Sequence, residues 1–249
     1  MSVRIRSATS SARRPAWPVT RTARSPRIAG SHVAAIGFTS GSTGHPHQHL
    51  KTWAAFAAGS RRNAQAITAA LGTQGLRGDP ALVATVPPQH MYGMELSVLL
   101  PLFASVAVHA ARPFFPEDVA HALGHADAPA LLVTTPVHLR ALVESGIALP
   151  PLAGIVTATA PLTQALAAAA EQRFGCEVRE LFGATETCVV AHRRTAREEA
   201  WRAYPGVRLH PQPDGTLVEA PHLPAPVILA DLVELRADNT FVLCGRQSD

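Results

Sequence analysis

The residues Thr39-Ser40-Gly41-Ser42-Thr43-Gly44 carry four hydroxyls and two glycines, with no side chain larger than threonine. Such a loop leaves the backbone free to curl until several N–H groups face one acceptor, and the acceptor that suits this arrangement is phosphate. Lys51, the only lysine in the chain, follows at short range, and a cation there can reach an anion held by the loop. A Ser- and Gly-rich surface turn beside a solvated lysine is the plainer alternative. A second group, Leu181-Phe182-Gly183-Ala184-Thr185-Glu186-Thr187, puts an aromatic ring, a glycine, a hydroxyl and a carboxylate close together. It can stack a base, admit a phosphate and hold Mg2+ through the oxygens of Glu186. Two further loops stand out, Gln89-His90-Met91-Tyr92-Gly93 and Ala158-Thr159-Ala160-Pro161-Leu162. His45, His47 and His49 alternate around Pro46 with no acid or cysteine beside them, which gives a metal cluster little support.

These groups need elements to hold them. The apolar run 33–38 reads as a strand feeding the hydroxyl loop. Pro46 suits the first turn of a helix, and Leu50, Trp53, Ala54, Ala57, Ala58, Ala64, Ile67 and Leu71 recur at near-helical spacing. The expectation is strand, loop and helix, with the helix starting near His47, its dipole facing the anion and Lys51 one turn inside. Strands are predicted at 81–86, 105–109, 129–134, 154–158 and 177–182. Helices fall between them at 96–103, 117–123, 137–145 and, capped by Thr163, up to Phe174. This alternation argues an α/β fold with a largely parallel sheet and flanking helices. From Val189 onward, strand-like pieces separated by Pro, Gly and Asp turns predict a small antiparallel β-subdomain. The expected organisation is a basic tail over 1–30, an α/β core over 31–188 and a β-subdomain over 189–249. In open α/β sheets ligands gather at the carboxyl ends of strands, where all four distinctive loops fall.

Composition narrows the function classes. Hydrophobic residues make up 47% of the 249, enough for a real core, and no apolar stretch is long enough to suggest a membrane span. Three cysteines without CxxC spacing support neither a disulfide framework nor a zinc site, and a cytoplasmic setting is expected. The pI near 9.5 invites a nucleic-acid reading. However, seven arginines and no acid lie in residues 1–30, and without those seven the chain has 15 basic residues against 18 acidic ones. The basicity belongs to a Pro-interrupted tail expected to be disordered, so no nucleic-acid partner is expected.

Taken together, the motifs resemble those of the adenylate-forming (AMP-binding) superfamily, which includes acyl-CoA synthetases and other acyl- or aryl-acid ligases. Thr39 to Pro46 is similar to its phosphate loop, and Phe182-Gly183-Ala184-Thr185-Glu186 to its aromatic-Gly-x-Thr-Glu motif. Ala230-Asp231-Leu232-Val233 resembles its ribose-binding segment, and Gly245-Arg246-Gln247-Ser248-Asp249 its hinge motif. The resemblance implies ATP-dependent activation of a small-molecule carboxylic acid as an acyl-adenylate. Transfer to coenzyme A or to the phosphopantetheinyl thiol of an acyl carrier protein would follow. It further implies that Thr39, Ser40, Gly41, Ser42, Thr43 and Gly44 hold the β- and γ-phosphates, while Ala158, Thr159, Ala160, Phe182 and Gly183 surround adenine. Thr185 would contact the α-phosphate, Glu186 would hold Mg2+, Asp231 would bind the ribose hydroxyls and Arg246 would assist there. His90 and Tyr92 match the aromatic loop that gates the acyl pocket.

Three departures accompany the resemblance. Pro46 is followed by His47 where the family has lysine, leaving Lys51 to substitute one helical turn on, and alanine precedes Asp231 in place of glycine. The family's N-terminal subdomain and its C-terminal lid have no counterpart in the sequence, so an impaired partial core is expected, or alternatively a truncated nucleotide-binding protein without catalysis. A Walker-type NTPase needs Gly-Lys at the loop's end, whereas His45 follows Gly44. No G-x-S-x-G elbow is present for a serine hydrolase.

Overall fold

A computed structural model describes residues 27–39, 47–71, 81–104 and 106–246. Strands β1 (Val33–Thr39) and β2 (His47–Thr52) form an antiparallel hairpin, followed by α1 (Trp53–Leu71) and β3 (Ala81–Ala84). Next come α2 (Met91–Gly93), a π-helical turn (Met94–Leu99), α3 (Leu100–Phe103), β4 (Ala107–Val108), α4 (Pro116–Gly124), β5 (Ala130–Thr134) and α5 (Pro136–Glu144). The chain continues through β6 (Leu152–Thr157), α6 (Gln164–Phe174), β7 (Val178–Ala184), β8 (Cys188–Arg193) and β9 (Trp201–Ala203). It ends with β10 (Arg208–Gln212), β11 (Gly215–Glu219), β12 (Val227–Leu229), β13 (Asp231–Arg236) and β14 (Thr240–Arg246).

The main sheet has nine strands in the order β13-β14-β9-β8-β7-β6-β5-β3-β4. Strands β4, β3, β5, β6 and β7 are mutually parallel, and β7 onward to β13 pair antiparallel. The α/β class with a small antiparallel sheet, β10-β11-β12, is therefore as the pattern predicted. The boundary expected after Cys188 runs through the main sheet, because β8, β9, β13 and β14 continue it. Most of the basic tail, residues 1–26, lies outside the described residues.

Alternation explains why the parallel strands read as continuous apolar runs. Leu82, Ala84, Leu131, Val133 and Val156 pack into a core on one face of the sheet. Their neighbours Val83, Ala130, Leu132 and Ile155 pack into a second core with α4, α5 and α6 on the other face. A strand buried on both faces needs apolar residues at every position.

One local expectation is corrected. No helix begins at His47; residues 47–52 are a strand registered against β1, with Thr39 opposite His47 and Gly37 opposite His49. The physical reason is a period of two: His49 and Lys51 turn inward while Gln48 and Leu50 face out. Helix α1 starts only at Trp53, where the Thr52 hydroxyl accepts the Ala55 N–H at 3.2 Å as an N-cap. The hydroxyl loop thus joins two strands of a hairpin, and Lys51 sits on a strand instead of one turn inside a helix.

Candidate functional site

The chain reverses between β7 and β8 through Thr185-Glu186-Thr187, and this turn packs against the β1–β2 hairpin. A Cβ placed on Gly37 would lie 2.6 Å from Thr185 Cγ2, so the glycine makes room for the threonine. Lys51 is only 4% exposed, and its Nζ donates to the Glu186 carbonyl at 2.6 Å. His49 Nε2 lies 3.7 Å from Glu186 Oε1 and is hydrogen-bonded to the Thr39 hydroxyl at 2.9 Å. The start of the hydroxyl loop, Thr39, and the Thr185–Glu186 pair are therefore linked through His49, with Gly37 and Lys51 of the same hairpin touching the pair directly, although the two groups are far apart in sequence. Ser40, Gly41, Ser42, Thr43 and Gly44 lie outside the described residues.

The turn has unusual backbone geometry. The β7–β8 register shifts between Phe182 and Gly183, and Cys188 adopts φ 59°, in the left-handed region that a side chain disfavours. Gly183 is obligatory for the close approach, since a Cβ there would stand 2.2 Å from the Cys188 carbonyl oxygen. Around the turn, His222 Nε2 donates to the Thr187 carbonyl at 2.7 Å, and the Val189 N–H donates to both carboxylate oxygens of Glu95 at 3.2 Å. Asn63 Nδ2 donates to Glu95 Oε2 at 3.1 Å, and the Tyr204 hydroxyl donates to Asn63 Oδ1. Burial raises the Glu95 carboxyl to about 7, against the lowering pull of the Val189 N–H, Asn63 and Lys51.

The other expected residues fall into separate places. Ala158, Thr159 and Ala160 follow β6, whose Thr157 is in register with Glu180 of β7, and Thr159 takes φ 85°. Glu180 ties this loop to the sheet. Its carboxylate accepts the Leu162 N–H at 3.1 Å, the Arg193 Nε–H at 2.8 Å and the Thr195 hydroxyl at 2.6 Å. Phe182 is half-buried against Trp201 and Phe241, with ring centroids at 5.4 and 5.8 Å. Asp231 and Arg246 face each other across β13 and β14, with Arg246 Nε 4.0 Å from Asp231 Oδ1. His90 is exposed at the N-terminus of α2, where its Nδ1 accepts the Tyr92 N–H at 3.3 Å. Tyr92 itself is buried, and its hydroxyl donates to the Val156 carbonyl at 2.9 Å.

Sequence reasoning missed Glu95, Glu180 and His222. A carboxylate inside the apolar run Met94-Glu95-Leu96 is a signal that could have found Glu95, because an ionisable group placed there must have partners. Nothing local marks His222.

Mg2+ bound through phosphates needs only one or two protein carboxylates, and Glu186, beside His49 and the Thr39 hydroxyl, is the carboxylate that would hold it. Among the described residues no cluster of three or more His, Cys, Asp or Glu suited to a metal ion occurs, and no helix is long and apolar enough to cross a membrane.

Comparison with known proteins shows the family and the fold. A 4-coumarate–CoA ligase from Halorhodospira halophila is 32% identical over 229 residues, which cover 89% of this chain and 53% of the relative. The chain thus spans about half the length of the curated relative it matches. The amide bond synthetase McbA from Marinactinospora thermotolerans superposes with a TM-score of 0.74 at 21% identity, covering 96% of this chain and 54% of that one. ATP-bound MatB from Rhodopseudomonas palustris gives a TM-score of 0.72 at 19% identity, covering 89% and 50% respectively. At these identities the structures speak for the fold alone. The family model described as AMP-binding enzyme matches residues 3–217, most of the chain, and the chain accordingly belongs to the AMP-binding enzyme family.

Proposed function

We propose that the chain provides the nucleotide-binding face for ATP-dependent activation of a small carboxylic acid, forming an acyl-adenylate whose acyl group then passes to a thiol of coenzyme A or of a carrier protein as AMP leaves. One observation carries this reading: the Thr185–Glu186 turn is docked on the stem of the hydroxyl loop through Lys51 and Gly37. That contact brings a hydroxyl, a carboxylate and the loop's first residue, Thr39, to one place.

In this reading Thr39 to Gly44 cradle the β- and γ-phosphates, and the Thr185 hydroxyl holds the α-phosphate. Mg2+, held by Glu186, neutralises phosphate charge when bound. Lys51 fixes the Glu186 carbonyl, which sets the direction of that residue's side chain. Phe182 offers a ring face to adenine while Ala158, Thr159, Ala160 and Gly183 leave room for it. Asp231 accepts hydrogen bonds from the ribose hydroxyls, and Arg246 steadies that carboxylate. The substrate carboxylate oxygen attacks the α-phosphorus, and the bond to pyrophosphate breaks. Positioning and fixed charge do most of the work in such phosphoryl chemistry. His90, exposed beside the buried Tyr92, faces the acyl side of the reaction.

The curated relative is named for 4-coumarate, so an arylpropenoic acid is the first acid to test. Isothermal titration with Mg·ATP, followed by hydroxylamine trapping of the activated acid across a panel of aryl and alkyl carboxylates, checks both parts. Saturable Mg·ATP binding and acid-dependent hydroxamate are expected. Absence of nucleotide binding would refute the reading.

A further inference from the structure

The backbone of the Thr185–Val189 segment is held by three buried side chains that come from distant elements. Lys51 on β2 donates to the Glu186 carbonyl, His222 between β11 and β12 donates to the Thr187 carbonyl, and Glu95 in the π-helical turn accepts the Val189 N–H. They are 4%, 4% and 3% exposed. The Glu186 and Thr187 carbonyls lie in the turn between β7 and β8, outside the ladder, and Val189 follows the left-handed Cys188 beside the shifted register; buried backbone groups left unpaired in such places are costly. The Lys51 ammonium on the Glu186 carbonyl is a charge-assisted bond, and the Glu95 carboxyl oxygens and His222 N–H satisfy the other two groups. Glu95 is itself held by Asn63, which Tyr204 holds in turn. Neither Glu95 nor His222 belongs to any of the nucleotide motifs.

We propose that Glu95 and His222, together with Lys51, are positioning residues that set the Thr185–Glu186 turn against the β1–β2 hairpin without touching the nucleotide. The proposal rests on the reading of that turn as the place where the α-phosphate and Mg2+ are held. Glu95 and His222 fix the two backbone groups that follow Glu186, so their loss lets the turn relax while the adenine face around Phe182 keeps its own aromatic packing. The effect is therefore specific to the phosphate end of the ligand.

The test uses the full chain with Glu95→Ala, Glu95→Gln, His222→Ala and His222→Gln. Affinities for Mg·ATP and for adenosine are measured by calorimetry, and amide hydrogen exchange is followed at Val189 and, as a reporter of global opening, at Leu131. Each alanine variant is expected to weaken Mg·ATP by about tenfold or more, with adenosine affinity unchanged. Val189 exchange is expected to quicken in Glu95→Ala while Leu131 exchange stays constant. Each glutamine variant, which keeps a carbonyl acceptor or an N–H donor at the same place, is expected to restore most of the loss. Alanine variants that bind Mg·ATP like the unaltered chain overturn the proposal. So does a parallel loss of adenosine and Mg·ATP with faster Leu131 exchange, which marks a purely structural role. If the unaltered chain binds no Mg·ATP, the nucleotide reading itself fails, an outcome distinct from both.

Discussion

Replacing Glu95 by glutamine is expected to change how the stability of the fold depends on pH. Burial lifts the Glu95 carboxyl from 4.5 to about 7, so the folded chain keeps a proton that the unfolded chain releases between those values. A carboxyl raised in this way contributes stability that is fully present below 4.5 and is lost as pH rises through about 7. The whole swing is about 3 kcal/mol, of which about 2 kcal/mol falls between about pH 5.5 and about pH 8.5. Glu95→Gln carries no such loss. The unaltered chain's own curve cannot isolate the effect, because burial holds His192 down at about 4 and lowers His138 and His222 as well. Those histidines act oppositely: the unfolded chain takes up protons below 6.5 that the folded chain refuses, so their contribution falls with falling pH. The readout is therefore the difference between variant and unaltered chain in urea unfolding at equal m-value. That difference should move in the variant's favour by about 2 kcal/mol across the window. A difference that stays flat from about pH 5.5 to about pH 8.5 would show that Glu95 is already ionised in the folded chain, and the argument from burial would fail.

Gly37→Ala should push Thr185 aside, since the new Cβ would sit 2.6 Å from its Cγ2. Calorimetry should find weaker Mg·ATP binding while unfolding shifts by about 1 kcal/mol or less. Gly183→Ala meets the Cys188 carbonyl at 2.2 Å, a backbone atom that cannot swing away. It should cost about 2–3 kcal/mol in chemical denaturation, and a neutral result would mean that the β7–β8 approach is looser than described. Glu180→Ala strips partners from Arg193, Thr195 and the Leu162 N–H at once. A loss of about 3–5 kcal/mol is expected, and an unchanged unfolding midpoint would contradict the structural role of this carboxylate. Asp231→Asn should weaken ATP but leave 2′,3′-dideoxy-ATP unaffected, and equal losses for both nucleotides would remove Asp231 from the ribose.

Much of the fold was legible because strands buried on both faces leave a plain mark. The runs at 81–84 and 130–133 are apolar at every position, and the structure puts their alternate residues into two different cores. The strand at 47–52 was misread for an identifiable reason. Leu50, Trp53 and Ala54 satisfy a helical spacing, yet the inward pair His49 and Lys51 is polar, so the period of two carried no hydrophobic signal. The placement of β13 and β14 in the main sheet could not be read either, since Asp-Gly and Asp-Asn turns announce hairpins without saying which sheet receives them. At the site, residues that a ligand would touch stand in compact motifs. Those that hold the motifs, Glu95 and His222, are single residues that grip the turn through backbone atoms far along the chain, and backbone partners leave no trace in side-chain types.

The same distances bear on the order in which the molecule is assembled. The β7–β8 hairpin closes through three residues, but the bond from Val189 to Glu95 spans 94 positions and that from Lys51 to Glu186 spans 135. Short closures are entropically cheap and fast, whereas long ones wait for the intervening chain to collapse. The turn should therefore exist early as an unanchored reversal and acquire its final shape only when α1, the π-helical turn and β2 have docked. In stopped-flow refolding, recovery of nucleotide binding should lag behind the far-ultraviolet signal of the sheet, and simultaneous recovery would argue that the long closures come first. A late-forming site also means that partly folded chains, already rich in strand, would carry no competent phosphate end and would not draw on the nucleotide pool.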